Sequence, residues 1–325
     1  MISVGLAGCG HLGKIHCKLL NEISSGNNSV NFAGVYDIDP VKSNEINSLY
    51  SLKSFKTFEE LLNNINSLII VTTTSAHFAV AEEAIKKGIN VFIEKPVTSS
   101  STEAKDLIEL AKRFKIKTQV GHVERFNPAL VSLGKFEIKP MFIESHRLAQ
   151  FNPRGTDVSV IQDLMIHDID IILHLVNSKI NKIDANGVAV VSDSIDIANA
   201  RLSFENGCTS NITASRISFK KMRKMRIFQH NAYISIDFLN NKSEIFRLTD
   251  SNTSVSGKAF PISETKKVVF EQPETEDFER ANPIKSELES FFDSIINDKP
   301  VKVSLEDGKV AVEVADEIIK IISKS

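Results

Sequence analysis

Six residues near the amino terminus, Gly8-Cys9-Gly10-His11-Leu12-Gly13, limit what this chain can fold into more than any other stretch. They follow a short apolar run, Ile2 to Ala7, and open a helical pattern that continues through Leu20. Strand, glycine loop and helix in that order have a physical logic. The first glycine makes the tight turn and the second lets backbone approach a pyrophosphate. The third lets helix pack closely on strand, and the helix amino terminus faces the anion. Alone the pattern is weak evidence, but here it sits between the right elements and is followed by a second strand, Asn31 to Tyr36, closing on Asp37. A carboxylate there accepts hydrogen bonds from both hydroxyls of an adenosine ribose and repels a 2′-phosphate, so the expected cofactor is NAD rather than NADP. Asp37 could instead cap a helix, a role that Asp39, just ahead of Pro40, fills better.

The alternation continues. Asp39-Pro40 starts a helix, Thr57-Phe58-Glu59-Glu60 is a capping box, and Ser67 to Val71 is an apolar strand ending in Thr72-Thr73-Thr74. Ala76 to Lys87 reads as a helix stopped by Gly88, Asn90 to Glu94 as a strand, Ser101 to Phe114 as a helix and Ile116 to Val120 as a sixth strand. Repeated β-α units argue for a doubly wound parallel sheet covered by helices on both faces, an α/β Rossmann domain over residues 1–121. Within it, Val91 to Val97 reads as a buried strand stopped at Lys95-Pro96, because proline has no amide hydrogen for the ladder. Lys95 is thereby placed at a strand's carboxyl end, the edge where open α/β sheets bind ligands. The competing reading is a solvated lysine before a turn.

The chain of 325 residues is too long for one typical core. We assign residues 122–325 to a second, α+β domain for substrate binding and oligomerisation. Helical period gives way there to alternation in Ile197 to Phe204, Thr209 to Ser215, Arg223 to Gln229, Tyr233 to Phe238 and Glu244 to Leu248, with Asn206-Gly207 as a hairpin turn. A largely antiparallel open sheet with helices on one face follows, and its other face offers a surface suited to a homodimer or homotetramer. Residues 250–265 read as a polar loop. Pro283 begins an amphipathic helix, and Ser304-Leu305-Glu306-Asp307 starts the last one, apolar at Val310, Val314, Ile318 and Ile321.

With 42% hydrophobic residues, 25% charged and a net charge of -2, nothing points to nucleic acid or an acidic membrane as a partner. The basic run Lys220, Lys221, Arg223, Lys224 and Arg226 reads as a solvated turn or a lysine-guarded edge strand. Cys9, Cys17 and Cys208 are odd in number and lack metal-ligand spacing, which implies a reducing, cytoplasmic setting. No apolar run approaches bilayer length, and Met1 leads into a strand without a signal-peptide pattern.

Residues 158–176 carry a polar stripe. Asp163, His167, Asp170 and His174 share one face of a helix whose other positions are nearly all apolar, Asp168 excepted. Such a helix is buried, and buried carboxylates and imidazoles need partners. Either they form a satisfied structural network, or Asp163 and His167 meet an alcohol and a cofactor, the reading favoured by Lys95 and the glycine loop in the same chain. A zinc site on His167, Asp170 and His174 fits by spacing but lacks soft ligands, and no metal is expected.

These motifs together resemble the glucose-fructose oxidoreductase, inositol dehydrogenase and MocA family of NAD(P)-dependent sugar oxidoreductases. The resemblance covers nearly the whole chain and is most specific at Gly8 to Gly13 with His16, the threonine loop with His77, Glu94-Lys95-Pro96, and Asp163-Leu164-Met165-Ile166-His167. It implies Lys95, Asp163 and His167 as the catalytic group. It further implies Thr72, Thr73, His77, Glu94 and Lys95 as cofactor contacts beside the glycine loop and Asp37, although His77 could cap its own helix. A narrower similarity, carried by Gly121-His122-Val123-Glu124-Arg125-Phe126-Asn127-Pro128 and by Asp163 to Asp170, is to the branch containing UDP-N-acetylglucosamine 3-dehydrogenases. His122, Arg125 and Asn127 then become substrate candidates. So do Arg147 and Arg154, since guanidinium binds phosphate oxygens in a bidentate fork; surface salt bridges are the alternative for both.

The implied reaction oxidises a secondary sugar hydroxyl to a ketone, with His167 as base, Lys95 holding the substrate oxygen and Asp163 orienting its neighbours; the Lys95 and His167 roles can be exchanged. Alternatives are a dinucleotide-sensing regulator without chemistry, or action on an inositol, polyol, dihydrodiol or linear tetrapyrrole.

Overall fold

The computed structural model describes residues 1–152, 158–255, 257–273 and 282–324. The chain divides into two compact units, Met1–Val123 with Asn282–Glu313, and Glu124–Ala281 with Val314–Ser325. The boundary expected after residue 121 lies at Val123, and a segment expected in the second domain belongs to the first unit.

In the first unit, β1 (Ile2–Ala7), α1 (His11–Gly26), β2 (Val30–Tyr36), α2 (Pro40–Tyr50), α3 (Phe58–Leu62), β3 (Ser67–Ile70), α4 (Thr74–Lys86), β4 (Asn90–Glu94), α5 (Ser101–Phe114) and β5 (Thr118–Gly121) follow in order. Four strands precede Thr118–Gly121, so the strand expected as the sixth is the fifth. Among the described residues the sheet is parallel throughout, in the order β2-β1-β3-β4-β5. The chain steps from β1 to β2 on one side and returns to β3 on the other, which makes the carboxyl ends of β1 and β3 the switch point where such sheets take ligands. Local chemistry fixes the helix starts. Asp39 accepts the Val41 amide at 3.0 Å ahead of Pro40, Thr57 accepts the Glu60 amide at 3.1 Å, and Ser100 accepts the Glu103 amide at 3.3 Å.

The returning segment carries α8 (Pro283–Ile296), and α9 (Leu305–Ile322) begins within it. Leu288, Phe291 and Phe292 of α8 join Leu6, Leu20 and Phe92 in one buried cluster, with the Phe92 and Phe291 rings edge to face at 6.0 Å. The Val120 amide donates to the Val303 carbonyl at 3.0 Å. Ser304 and Asp307 form the capping box expected for α9, although Val310 is exposed rather than buried.

The second unit contains α6 (Pro128–Val131), β6 (Phe142–Leu148), a single π-turn at Ile161–Met165 leading into α7 (Ile166–Val176), and strands β7 (Ile180–Val188), β8 (Ile197–Phe204), β9 (Thr209–Ser215), β10 (Met222–Gln229), β11 (Ala232–Asp237), β12 (Lys242–Asp250), β13 (Lys258–Pro261) and β14 (Lys266–Glu271). Among the described residues these strands form one sheet ordered β13-β14-β12-β11-β10-β6-β9-β8-β7, antiparallel except where β6 meets β9. One face buries Ile143, Ala200, Ile212, Ile227, Ile234 and Ile245. On the other, Phe142, Phe228, Tyr233, Phe246 and Phe270 stand in register across five strands, with successive ring centroids 6.1, 5.1, 5.5 and 5.2 Å apart.

Three expectations change here. The loop expected over 250–265 contains β13. The basic run falls largely on β10, an interior strand between β11 and β6, where Lys224 pairs with Asp237 and Arg226 with Glu144. The buried polar stripe is interrupted: Asp170 is buried, Asp163 and His167 are half-buried, and His174 is exposed, while the off-stripe Asp168 is buried.

Candidate active site

At the end of β1 the chain turns at Gly8 with φ +101°, where a Cβ would stand 2.5 Å from the Val71 carbonyl oxygen. A Cβ on Gly13 would stand 2.1 Å from the Gly8 carbonyl oxygen. No side chain fits at either place. Gly10 differs, since its Cβ would meet nothing within 4 Å and would project into a cleft of about 550 Å³. No side chain caps α1 at this end, so its first amides face the same space.

Gly8, Gly10, His11, Leu12, Asp37, Thr72 and Thr73 of the expected set line the cleft. Cys9 and Gly13 are buried behind the turn. Burial, then the neighbouring Asp37 carboxylate, push the Cys9 thiol up to about 12, so it stays protonated. Asp37 is fixed by two backbone donors, the Cys9 amide at 2.6 Å on Oδ2 and the Asp39 amide at 2.9 Å on Oδ1. The remaining lone pairs of an acceptor-only carboxylate suit a diol. The opposite walls are apolar, and Ile38, 89% exposed, lines the cleft with Phe58 and Val80. A glycine that leaves room, an uncapped helix end, a held carboxylate and apolar walls fit an adenine dinucleotide. Ile38, Phe58 and Lys42 were missed from sequence; the available signal was an isoleucine set between Asp37 and Asp39, outside any strand. Lys42 is paired with Asp39 at 3.7 Å.

His77, Glu94 and Lys95 are not on the cleft wall. Buried His77 puts Nδ1 2.8 Å from the Pro96 carbonyl and Nε2 3.2 Å from the Thr72 carbonyl, tying the threonine loop to the Lys95-Pro96 turn. Burial lowers its pKa, so the neutral ring has one proton, which we assign to Nδ1 on the shorter contact. Lys95 is half-buried, precedes a cis peptide bond to Pro96, and donates its backbone N–H to Glu94 Oε2 at 3.1 Å. Buried His122 follows β5.

In the second unit Asp163 lies in the π-turn and His167 in the first turn of α7. Asp163 lines a pocket of about 280 Å³ with Gln150, Asn152, Arg216, Lys221 and Arg223. Of the guanidiniums assigned to phosphate, Arg147 is engaged within the protein. Arg147 is buried between Asp168 at 2.6 Å and Glu124 at 2.7 Å. Burial works against its charge, but the two carboxylates outweigh this and hold it protonated. Arg125 grips Asp170 through two contacts of 2.7 Å, which also removes Asp170 from a zinc set. Asn127 caps α6 and donates to Glu124 and the Phe238 carbonyl. Arg125, Asn127 and Arg147, expected as substrate contacts, thus take part in a hydrogen-bonded network of this unit, and Arg154 lies outside the described residues. Lys221 and Arg223, read from sequence as surface charge, are exposed and also line this pocket, Arg223 with one contact of 3.4 Å to Glu124.

The first unit is a dinucleotide-binding fold of the oxidoreductase type. The family model for the oxidoreductase family with an NAD-binding Rossmann fold matches residues 2–122, and that of the GFO/IDH/MocA C-terminal domain matches residues 142–235. The chain belongs to this GFO/IDH/MocA oxidoreductase family. It is 35% identical over 299 residues to the UDP-N-acetylglucosamine 3-dehydrogenase of Acidithiobacillus ferrooxidans, covering 91% of this chain and 90% of that one. The solved structure of that organism's UDP-N-acetylglucosamine 3-dehydrogenase GnnA superposes with a TM-score of 0.88 at 32% identity, over 99% of this chain and 98% of the other. A levoglucosan dehydrogenase in complex with NADH and L-sorbose shares the fold at a TM-score of 0.86 and 17% identity, over 99% and 97% of the two chains.

The glycine geometry gives a test. Gly10→Val should change stability by no more than about 0.5 kcal/mol while abolishing NAD binding, because the new side chain occupies only the cleft. Gly13→Val should cost at least about 1–3 kcal/mol, since backbone must move. Thermal denaturation and calorimetric titration with NAD separate the two.

Proposed function

We propose that this chain is an NAD-dependent dehydrogenase oxidising a secondary hydroxyl of a sugar nucleotide to a ketone, with the 3-hydroxyl of UDP-N-acetylglucosamine or a similar UDP-sugar as its substrate. The observation carrying this reading is the 35% identity to a UDP-N-acetylglucosamine 3-dehydrogenase across nine-tenths of both chains. The presence of Lys95, Asp163 and His167 supports catalysis rather than sensing alone.

In the proposed reaction the C–H bond of the carbinol carbon breaks with its electron pair leaving as hydride, the O–H bond gives up its proton, and a C=O bond forms. Bound NAD would supply the acceptor for that hydride. His167 accepts the hydroxyl proton, a task suited to an imidazole whose ordinary pKa lies near working pH. Lys95 holds the alcohol oxygen as negative charge develops on it, and Asp163 orients the pair. The glycine loop, Asp37, Thr72 and Thr73 bind the dinucleotide. For the diphosphate of the substrate, Lys221 and Arg223 replace Arg147 as the cations, because they line a pocket with Asp163 while Arg147 is enclosed by carboxylates.

The aromatic row on the open sheet face, half-buried at Phe142, Tyr233, Phe246 and Phe270 and exposed at Phe228, supports self-association through that face into a homodimer or homotetramer, since contiguous apolar surface of this kind marks interfaces. Free, buried Cys9, Cys17 and Cys208 are consistent with a reducing cytoplasm. Among the described residues no helix is long and apolar enough to cross a membrane.

Incubation with NAD and a panel of UDP-sugars, inositols and polyols should yield NADH absorbance with UDP-N-acetylglucosamine or a near relative; turnover confined to an inositol would end the substrate assignment. Lys95→Ala and His167→Ala should each lower turnover by about 10²–10⁴-fold with NAD affinity retained. In Lys221→Ala and Arg223→Ala the KM for the UDP-sugar should rise roughly tenfold, the worth of a charge-assisted hydrogen bond, with kcat little changed. Phe228→Asp with Tyr233→Asp should shift the light-scattering mass to that of a monomer.

A further inference from the structure

Three ionisable side chains from three elements of the first unit meet in its interior, away from the dinucleotide cleft. His16 comes from α1, Glu94 ends β4 and Glu287 sits in α8. Their ligand-type atoms lie within 4.8 Å of one another, and their exposures are 0%, 7% and 0%.

The Glu94 carboxylate is held on two sides. Its Oε1 is 2.8 Å from His16 Nε2, and its Oε2 accepts the Lys95 backbone N–H at 3.1 Å. The neighbouring strand makes room for it: Gly121 is its register partner on β5, and a Cβ there would stand 3.0 Å from the carboxyl. Glu287 has no such support. Both of its carboxyl oxygens are buried and without a hydrogen bond, although its backbone carbonyl accepts the Gln119 side-chain amide at 2.8 Å. His16 Nδ1 and Gln119 Oε1 are also buried without partners.

Charge and donor arithmetic decide what this cluster is. Two carboxylates in a dry interior cannot both stay ionised at neutral pH without a compensating cation. A divalent metal is one solution, but tetrahedral ligands at about 2.0–2.1 Å from an ion stand roughly 3.4 Å from each other. The 2.8 Å between His16 Nε2 and Glu94 Oε1 is a hydrogen bond, and two ligands of one ion would be forced apart. With the His16 proton on Nε2, the groups left over are acceptors: His16 Nδ1, Gln119 Oε1 and the Glu94 carboxylate. The cluster lacks one donor, and Glu287 supplies it by keeping its proton. Burial, then the negative Glu94, push the Glu287 carboxyl well above the ordinary range.

We propose that Glu287 is a neutral carboxylic acid in the working enzyme, and that its proton, shared toward Glu94 and His16, fixes Glu94 as the acceptor of the Lys95 amide. Glu287 is then a positioning residue for Lys95, acting through Glu94 from a helix far along the chain. This rests on the reading of Lys95 as catalytic.

The pH dependence has a definite sign. A carboxyl whose folded pKa is raised contributes stability that is fully present below its unfolded value, about 4.3, and is lost as pH rises through the folded value. The titratable groups facing it are Glu94 from β4 and His16 from α1, and β5 contributes only the uncharged Gln119 and Gly121.

The experiment compares the full-length wild type with Glu287→Gln and Glu287→Leu. Glutamine keeps the shape and a donor without a titrating proton; leucine keeps bulk alone. Glu287→Gln should retain kcat within about threefold and lose less stability than wild type in urea titrations as pH rises from neutral to alkaline. It should also lack a protonated-carboxyl infrared band that wild type shows at neutral pH. Glu287→Leu should bind NAD normally with kcat down at least about tenfold, the scale of small misplacements in a catalytic site. Equal loss of kcat in both variants, absence of the band from wild type, or stoichiometric metal in the purified protein would overturn the proposal. If Lys95→Ala leaves turnover intact, the catalytic reading fails separately, while the infrared band and the stability slope still report the Glu287 proton.

Discussion

Backbone meeting backbone at Gly8 is the contact from which the nucleotide-binding unit is built. The turn after β1 passes so close to Val71 and to the first turn of α1 that no Cβ is tolerated at Gly8 or Gly13. This proximity aims the uncapped end of α1 at the cleft and brings the Cys9 amide onto the Asp37 carboxylate. It also sets the end of β3 beside the turn, so that the threonine loop forms the facing wall. His77 then carries the geometry one strand further, to Pro96. One packing constraint thereby orders loops after three strands of the sheet.

Much of this unit is legible in sequence because its strands are buried on both faces and read as apolar runs, while caps and glycines mark each helix end. The second unit hides more. In β6 the inward positions are Ile143, Ser145 and Arg147, two of them polar, so the alternation that betrays a half-buried strand is absent. No residue of β13 is buried, and Lys258-Ala259-Phe260-Pro261 is too short to show an alternation of apolar and polar positions. The partners of Arg147 lie at Glu124 and Asp168, and nothing local distinguishes such an arginine from one waiting for phosphate. The π-turn ahead of α7 shifts the phase that a regular helix assigns to Asp163 and His167. The Asp163 and His167 pair was visible through its motif, but the pocket cations Lys221 and Arg223 looked like ordinary surface charge.

The two units treat buried charge differently. In the second, every carboxylate of the network has a counter-charge or several amides. Asp196 accepts the Ser192 hydroxyl and the backbone N–H groups of Ser192, Val191 and Val190, bonds that outweigh burial to hold its carboxyl well below the usual range, and it also pairs with Arg216 at 3.0 Å. Removing one member of such a set strands the others at a cost of about 3–5 kcal/mol. In the first unit the acids outnumber the cations at the His16, Glu94 and Glu287 cluster, and protonation is the remaining way to balance them.

The first unit is also discontinuous along the chain. Phe291 and Phe292 complete its core, Val303 extends the hydrogen bonding of β5, and a Cβ on Gly308 would already crowd Val97 and Val120. Domains usually fold as they leave the ribosome, amino-terminal first. Here the nascent sheet must wait for the segment Asn282–Glu313 before its last hydrophobic surface is covered, so the unit that is begun first stays open until the strands of the other have been synthesised.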